Sequence, residues 1–123
     1  LIAREAGGPT DMKLISGIIW NRLDQNIKLQ IDATMQYTLG KKSDGSWWGG
    51  IDLTQKQSDS PYNTYKHAGL PPTPICSPGI EAIEAVIKPE ETDCIFYLHD
   101  HESQIHCAKT YEEHKTNIRK YLQ

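Results

Sequence analysis

The stretch Ser58–Gly79, SDSPYNTYKHAGLPPTPICSPG, decides how the rest of the chain is read. It holds five prolines and two glycines, and no period that fits a helix or a strand. Pro71-Pro72 forces extended backbone, because each proline locks its own φ and turns the residue before it from the α region. Ser60, Asn63 and Thr64 are short polar residues that bond their own backbone in turns. A connection this long in a small domain is either a functional loop or a disordered one. Tyr62, Tyr65, Leu70 and Ile75 argue for order, since disordered segments are poor in such side chains. The loop is therefore expected to be ordered and functional.

On its N-terminal side the signals are helical. Leu1–Ala6 reads as the last turns of a helix, stopped by Gly7-Gly8-Pro9. Thr10 or Asp11 can cap a second helix, with Leu14, Ile15, Ile18, Ile19 and Leu23 at helical spacing and Asn26 at its close. Lys28–Asp32 is expected to be extended. Thr34–Leu39 is expected to be helical and to end at Gly40. A turn-rich excursion follows, carrying Trp47-Trp48, then another helical turn over Asp52–Gln57.

On the C-terminal side, Ser77-Pro78 offers a hydroxyl cap and a proline for a helix carrying Ile80, Ile83, Ala85 and Ile87. Cys94–His99 and Gln104–Ala108 read as a hairpin turning at 100–103. That turn sets Phe96, not Cys94, opposite Cys107, which disfavours a disulfide across the ladder. Thr110 and Glu113 form a capping box for a final helix running to about Leu122. Helices flanking one small antiparallel sheet give the class α+β.

Bulk properties exclude several function classes. With 123 residues the chain has the size of one domain, 1–123. Its net charge is −3 and it has no basic run, which argues against a nucleic-acid partner. No apolar run approaches the roughly 20 residues that cross a bilayer. The chain opens with Leu1, straight into a helix, so it reads as an excised domain. Cys94, His99, His101, His106 and Cys107 lack the paired knuckle spacing of a zinc site, so no metal or other cofactor is expected. His114 is read as a surface or packing residue of the final helix.

The residues that could do chemistry each carry two readings. Glu5 ends an apolar helical stretch beside a Gly-Gly-Pro break. Partial burial there raises a carboxyl pKa and suits a general acid, whereas a solvated Glu5 would be an ordinary surface charge. Gln30 and Asp32 share one side of an extended segment and could orient a substrate, or Asp32 could cap the turn at Thr34. Tyr62, Tyr65 and the two tryptophans offer apolar faces for stacking, or edges for the core. Asn63 could bind a sugar amide or hydroxyl, or only hold a turn.

Several motifs occur together and in order: Ile2-Ala3-Arg4-Glu5, Asn21-Arg22-Leu23, Leu29-Gln30-Ile31-Asp32, Ser60-Pro61-Tyr62-Asn63-Thr64-Tyr65, Gly69-Leu70-Pro71-Pro72-Thr73-Pro74-Ile75, Ser77-Pro78-Gly79 and Glu113-His114. In this the chain resembles the catalytic domain of the YceG-like endolytic murein transglycosylases, over nearly its whole length. The resemblance implies an enzyme that cuts peptidoglycan glycan strands internally, leaving 1,6-anhydro-muramoyl ends. It puts the catalytic acid at Glu5 and substrate contacts at Gln30, Asp32, Tyr62, Asn63 and Tyr65, with the proline-rich loop as a cleft wall. Ala3 stands where the family often has another glutamate, and Cys107 where it has an aromatic. The resemblance also implies a membrane-anchored parent with a LysM-like domain, at the outer face of the cytoplasmic membrane, near cell-wall synthases. Two alternatives stand beside it: a hydrolytic muramidase with Asp32 as second carboxylate, and a peptidoglycan-binding module without catalysis.

Overall fold

The computed structural model describes every residue except Lys42 and Trp47. In chain order it contains α1 (Ile2–Glu5), α2 (Met12–Asp24), α3 (Asp32–Leu39), a 3-10 turn (Gln55–Gln57), α4 (Ile80–Ile87), β1 (Phe96–His99), β2 (Ile105–Ala108) and α5 (Tyr111–Tyr121). Helices around a two-stranded antiparallel sheet make the class α+β, as the sequence pattern implied. No helix of the described residues is long and apolar enough to cross a membrane.

The chain divides into two compact units. One comprises Leu1 and Leu23–Ser77, the other Ile2–Arg22 and Pro78–Gln123.

In the second unit, α2 supplies the core through Ile15, Ile18 and Ile19, with Ile2, Leu98 and Ala108 also buried. Its polar residues are put to work at long range. Asn21 Nδ2 donates to the carbonyls of Thr92 (2.6 Å) and Cys94 (3.0 Å), and Arg22 Nε donates to that of Ile95 (2.6 Å). The segment leading into β1 is thereby fastened to α2, and Ile95 N–H reaches across to the hairpin's other arm, donating to the Ala108 carbonyl (2.9 Å). Buried Arg22 also lies over the Phe96 ring, 5.2 Å from its centroid.

The hairpin pairs Phe96 with Ala108 and Tyr97 with Cys107. This is one residue from the expected register. The connection is a three-residue loop, 101–103, closed by Asp100 N–H donating to the Gln104 carbonyl (2.9 Å). Ser103 takes the left-handed conformation (φ 62°) that such loops require, and Asp100 Oδ1 accepts from the N–H groups of Glu102 and Gln104. The expectation about the cysteines is overturned as well. Cys94 and Cys107 form a disulfide, with Cα atoms 5.9 Å apart. Cys94 lies outside the ladder, on the segment that Asn21 and Arg22 pull aside, so ladder geometry does not govern it. Cys76 is left free.

Successive strand residues face opposite sides. Phe96 and His106 turn towards α5, where Phe96 stacks on His114 (5.1 Å, 19°) and His106 on Tyr121 (3.6 Å, 10°). Burial, reinforced by the charge of Arg22, holds the His114 imidazole below its usual pKa. The capping box that starts α5 is present in both halves, with Glu113 N–H donating to Thr110 Oγ1 (3.2 Å) and Glu113 Oε2 accepting from Thr110 N–H (3.3 Å).

Helix α4 departs from expectation. It begins after Gly79 with no side-chain cap, so Ser77 and Pro78 precede it. It buries Ala82 and Ala85, and leaves Ile80, Ile83 and Ile87 exposed.

In the first unit, Leu29, Ile31, Ala33, Met35 and Ile75 form the apolar core. Gly40 closes α3 at φ 67°, its N–H donating to the Gln36 carbonyl (3.2 Å). The Ser58–Gly79 stretch contains no helix or strand, and Thr64 docks it. Thr64 Oγ1 accepts from Ile31 N–H (2.9 Å) and lies 3.2 Å from Thr34 Oγ1, both threonines being buried.

Candidate active site

Glu5 ends α1 and is half-buried. The Tyr97 hydroxyl, brought by β1, donates to Glu5 Oε2 at 2.6 Å. Glu5 Oε1 has no hydrogen bond to any described residue. Burial drives the Tyr97 phenol far above its ordinary pKa, and the Glu5 charge and hydrogen bond add to that rise. The phenol therefore stays protonated across the physiological range and keeps its hydrogen to donate to the Glu5 carboxylate.

The turn after Glu5 is held by a second contact from the same strand face. Asp11 Oδ2 accepts from Gly7 N–H (3.0 Å), and Oδ1 accepts from Gly8 N–H (3.2 Å). His99 Nε2, two residues beyond Tyr97, donates to Asp11 Oδ2 at 2.7 Å. Burial alone would raise the Asp11 pKa, but these bonds outweigh it and hold the carboxyl below its usual value. The sequence offered Thr10 or Asp11 as the cap of α2; Asp11 stands just before the helix, and its carboxylate reaches back to fasten the Gly7-Gly8 turn. A β-carbon on Gly7 would stand 3.3 Å from Asp11 Oδ2 and 3.4 Å from the His99 ring.

The other expected site residues lie in the first unit. The Tyr65 hydroxyl donates to Asp32 Oδ1, and Lys56 Nζ lies 3.9 Å from the same oxygen. The Lys56 ammonium also sits over the Tyr65 ring, 4.7 Å from its centroid. These three side chains form a polar cluster that stays partly open to solvent. Lys56 was not singled out in the sequence, where a lone lysine in a polar run carries no signal. Gln30 is exposed and holds a positive φ of 55°. Tyr62 packs on Tyr37 (5.5 Å between rings), and its hydroxyl lies 2.8 Å from Thr73 Oγ1.

Asn63 differs from the expectation of a substrate-facing amide. It is fully buried. Its Nδ2 donates to the carbonyls of Lys56 (2.9 Å) and Ser58 (2.7 Å), and its Oδ1 accepts from Tyr65 N–H (3.0 Å). Its amide donors reach the 3-10 turn at Lys56 and the start of the loop at Ser58, so it holds the loop in shape and presents Tyr65 beside Asp32. Trp47, an expected stacking residue, lies outside the described residues.

Neither a metal site nor the hollow beside α2 involves Glu5. Among the described residues no group of three or more His, Cys, Asp or Glu could hold a metal ion. A hollow of about 540 Å³ in the second unit is lined by Gly17, Trp20, Asn21 and residues 89–93, and Glu5 is not part of its wall.

Comparison with known proteins identifies the family. A Bacillus subtilis (strain 168) protein named endolytic murein transglycosylase is 35% identical over 122 residues, covering 99% of this chain and 32% of that protein. A Streptococcus pneumoniae protein of the same name is 32% identical over 123 residues, covering 99% of this chain and 22% of its own length. The chain thus spans a third or less of these relatives. A crystal structure of a yceG-like protein from Listeria monocytogenes superimposes with a TM-score of 0.81 at 36% identity, over 94% of this chain and 35% of that one. The profile of the YceG-like family matches residues 1–120, and the chain belongs to that family.

Proposed function

We propose that this chain carries the catalytic site of a lytic transglycosylase that cuts the MurNAc–GlcNAc β-1,4 bond inside peptidoglycan strands. The observation that carries the reading is Glu5, half-buried at a helix end with one carboxyl oxygen held by Tyr97 and the other bonded to no described residue. The names of the relatives support the reaction type.

The chemistry needs one carboxyl group. Glu5 as the neutral acid protonates the leaving O4 of GlcNAc as the bond from muramoyl C1 to that oxygen breaks. The resulting carboxylate then takes the proton of the muramoyl 6-hydroxyl while O6 bonds to C1. Glu5 is returned protonated, and the products are a 4-hydroxyl end and a 1,6-anhydro end. The internal nucleophile is tethered, so its effective concentration is high without a second carboxylate to position water. Ordinary glycosidases use two carboxyl groups about 5–9.5 Å apart. Asp32, engaged by Tyr65 and Lys56, is read here with Gln30, Tyr62 and Tyr65 as a contact for the sugar chain.

The reading places the protein in the cell envelope, where glycan strands are made and cell-wall synthases work. The Cys94–Cys107 disulfide suits an oxidising compartment of that kind.

Mass spectrometry of purified peptidoglycan strands after digestion tests the proposal, because an anhydro end is lighter than a reducing end by one water. Anhydro ends that vanish with Glu5→Gln are expected. Reducing ends alone would favour a hydrolase, and binding with no new ends would favour a non-catalytic module.

A further inference from the structure

We infer that Tyr97 is a positioning residue for the Glu5 carboxyl, occupying Oε2 so that the transferable proton is carried on Oε1. This rests on the reading of Glu5 as the acid. A carboxyl group has two equivalent oxygens, and a general acid that must protonate one oxygen and deprotonate another gains from having them distinguished. Here the distinction is built in. Tyr97 holds Oε2 at 2.6 Å, and Oε1 makes no bond to a described residue. While Glu5 is neutral, Oε2 is its carbonyl oxygen and accepts from Tyr97, which leaves the acidic hydrogen on Oε1. When that hydrogen passes to the leaving oxygen, the negative charge develops on a group already receiving a hydrogen bond. Hydrogen bonds to a charged acceptor are stronger than those to a neutral one. The contact therefore strengthens as the proton leaves, which is the condition for lowering a barrier rather than merely tightening a ground state.

The mounting of Tyr97 fits that task. It lies opposite Cys107 in the hairpin, and Cys107 is joined covalently to Cys94. The backbone before it is pinned by Arg22 Nε on the Ile95 carbonyl. His99, on the same strand face, holds Asp11, which in turn holds the N–H groups of Gly7 and Gly8, two and three residues after Glu5. One strand face thus grips both the carboxyl group and the turn that carries it.

Tyr97→Phe, made in the protein as the cell makes it, is the test. The expected result is a kcat lowered roughly tenfold to a hundredfold, the size of a lost hydrogen bond to a charged group, with KM for glycan strands and the melting temperature little changed. The carbon-13 resonance of the Glu5 side-chain carboxyl should move in the same variant. A purely structural role would lower the melting temperature and leave kcat of the folded protein in place. Should Tyr97→Phe fail to fold, 3-fluorotyrosine at position 97 keeps the ring and oxygen and strengthens the donor; it should shift the Glu5 resonance in the opposite sense, and an unmoved resonance overturns the inference. Wild-type kcat in folded Tyr97→Phe, with Glu5→Gln inactive, overturns the role of Tyr97 alone. Wild-type turnover in Glu5→Gln overturns the reading of Glu5 beneath it.

Discussion

The carbonyl oxygen of Glu90 lies 2.2 Å from where a β-carbon on Gly17 would stand. The chain crosses α2 at that point so closely that only a hydrogen fits, and Glu90 N–H donates to the Lys13 carbonyl (3.0 Å) beside it. Gly17→Ala must push the backbone at residue 90 away, because backbone cannot rotate aside as a side-chain tip can. A loss of about 1–3 kcal/mol is expected, the usual range for overpacking a tight contact. Urea denaturation of the variant measures it, and unchanged stability would mean that the crossing is looser than described.

Asn63→Ala should act on stability first. The substitution strips partners from the carbonyls of Lys56 and Ser58 and from Tyr65 N–H at a fully buried position. A cost of roughly 2–3 kcal/mol follows from leaving such groups unpaired. Glycan cleavage should fall only as far as the folded population does. Cleavage abolished in a variant that melts like wild type would restore Asn63 to the substrate.

Asp11 gives a pH dependence with a definite sign. Its folded pKa lies below the ordinary carboxyl value of 3.8, so the unfolded chain binds more protons in the window just below that value. Its stabilising effect is present above about pH 4 and is lost as pH falls through the folded pKa. Asp11→Asn should therefore be destabilised relative to wild type at pH 7, with the gap closing at pH 3. A gap of equal size at both pH values would show that the Asp11 charge is immaterial.

His114 gives a second and separate window. Its folded pKa is depressed from 6.5 by burial and then by Arg22, so its contribution is whole above pH 6.5 and declines as pH falls below it. Replacing His114 with Phe, which cannot take up a proton, should remove that part of the decline. Matched melting curves at pH 7.5 and 5.5 check this.

Reduction of the Cys94–Cys107 bond should lower stability by about 2–4 kcal/mol, the typical effect of opening a loop of this length, here with a sequence separation of 13. Cys94→Ser should do the same and become insensitive to reductant. A wild-type melting temperature indifferent to reductant would tell against the bond.

Features whose partners lie within one turn of each other were legible in the sequence. Thr110 and Glu113 stand three residues apart, and their capping box is present as read. Gly40 ends α3, and the α2 stripe of Ile15, Ile18 and Ile19 is buried. What was hidden depends on contacts that span the chain. Tyr97 and Glu5 are separated by 92 residues and His99 and Asp11 by 88, and neither pair leaves a mark in local spacing. The hairpin slipped by one residue because Asp100 and Ser103 build a three-residue loop in preference to a four-residue turn. The exposure of Ile80, Ile83 and Ile87 was not legible either, because periodicity reports an apolar face without saying whether it is covered.

The covalent link between Cys94 and Cys107 encloses the hairpin tip. His101, Glu102 and Ser103 are exposed and form the kind of site that proteases nick. A cut there would sever the backbone between the strand that carries Tyr97 and the strand that leads to α5. The two pieces would nonetheless migrate as one band on a gel without reductant and separate only when it is added. The cleaved chain would keep β1 in place, so that this domain could be scarred at its most exposed turn and still hold Tyr97 against Glu5.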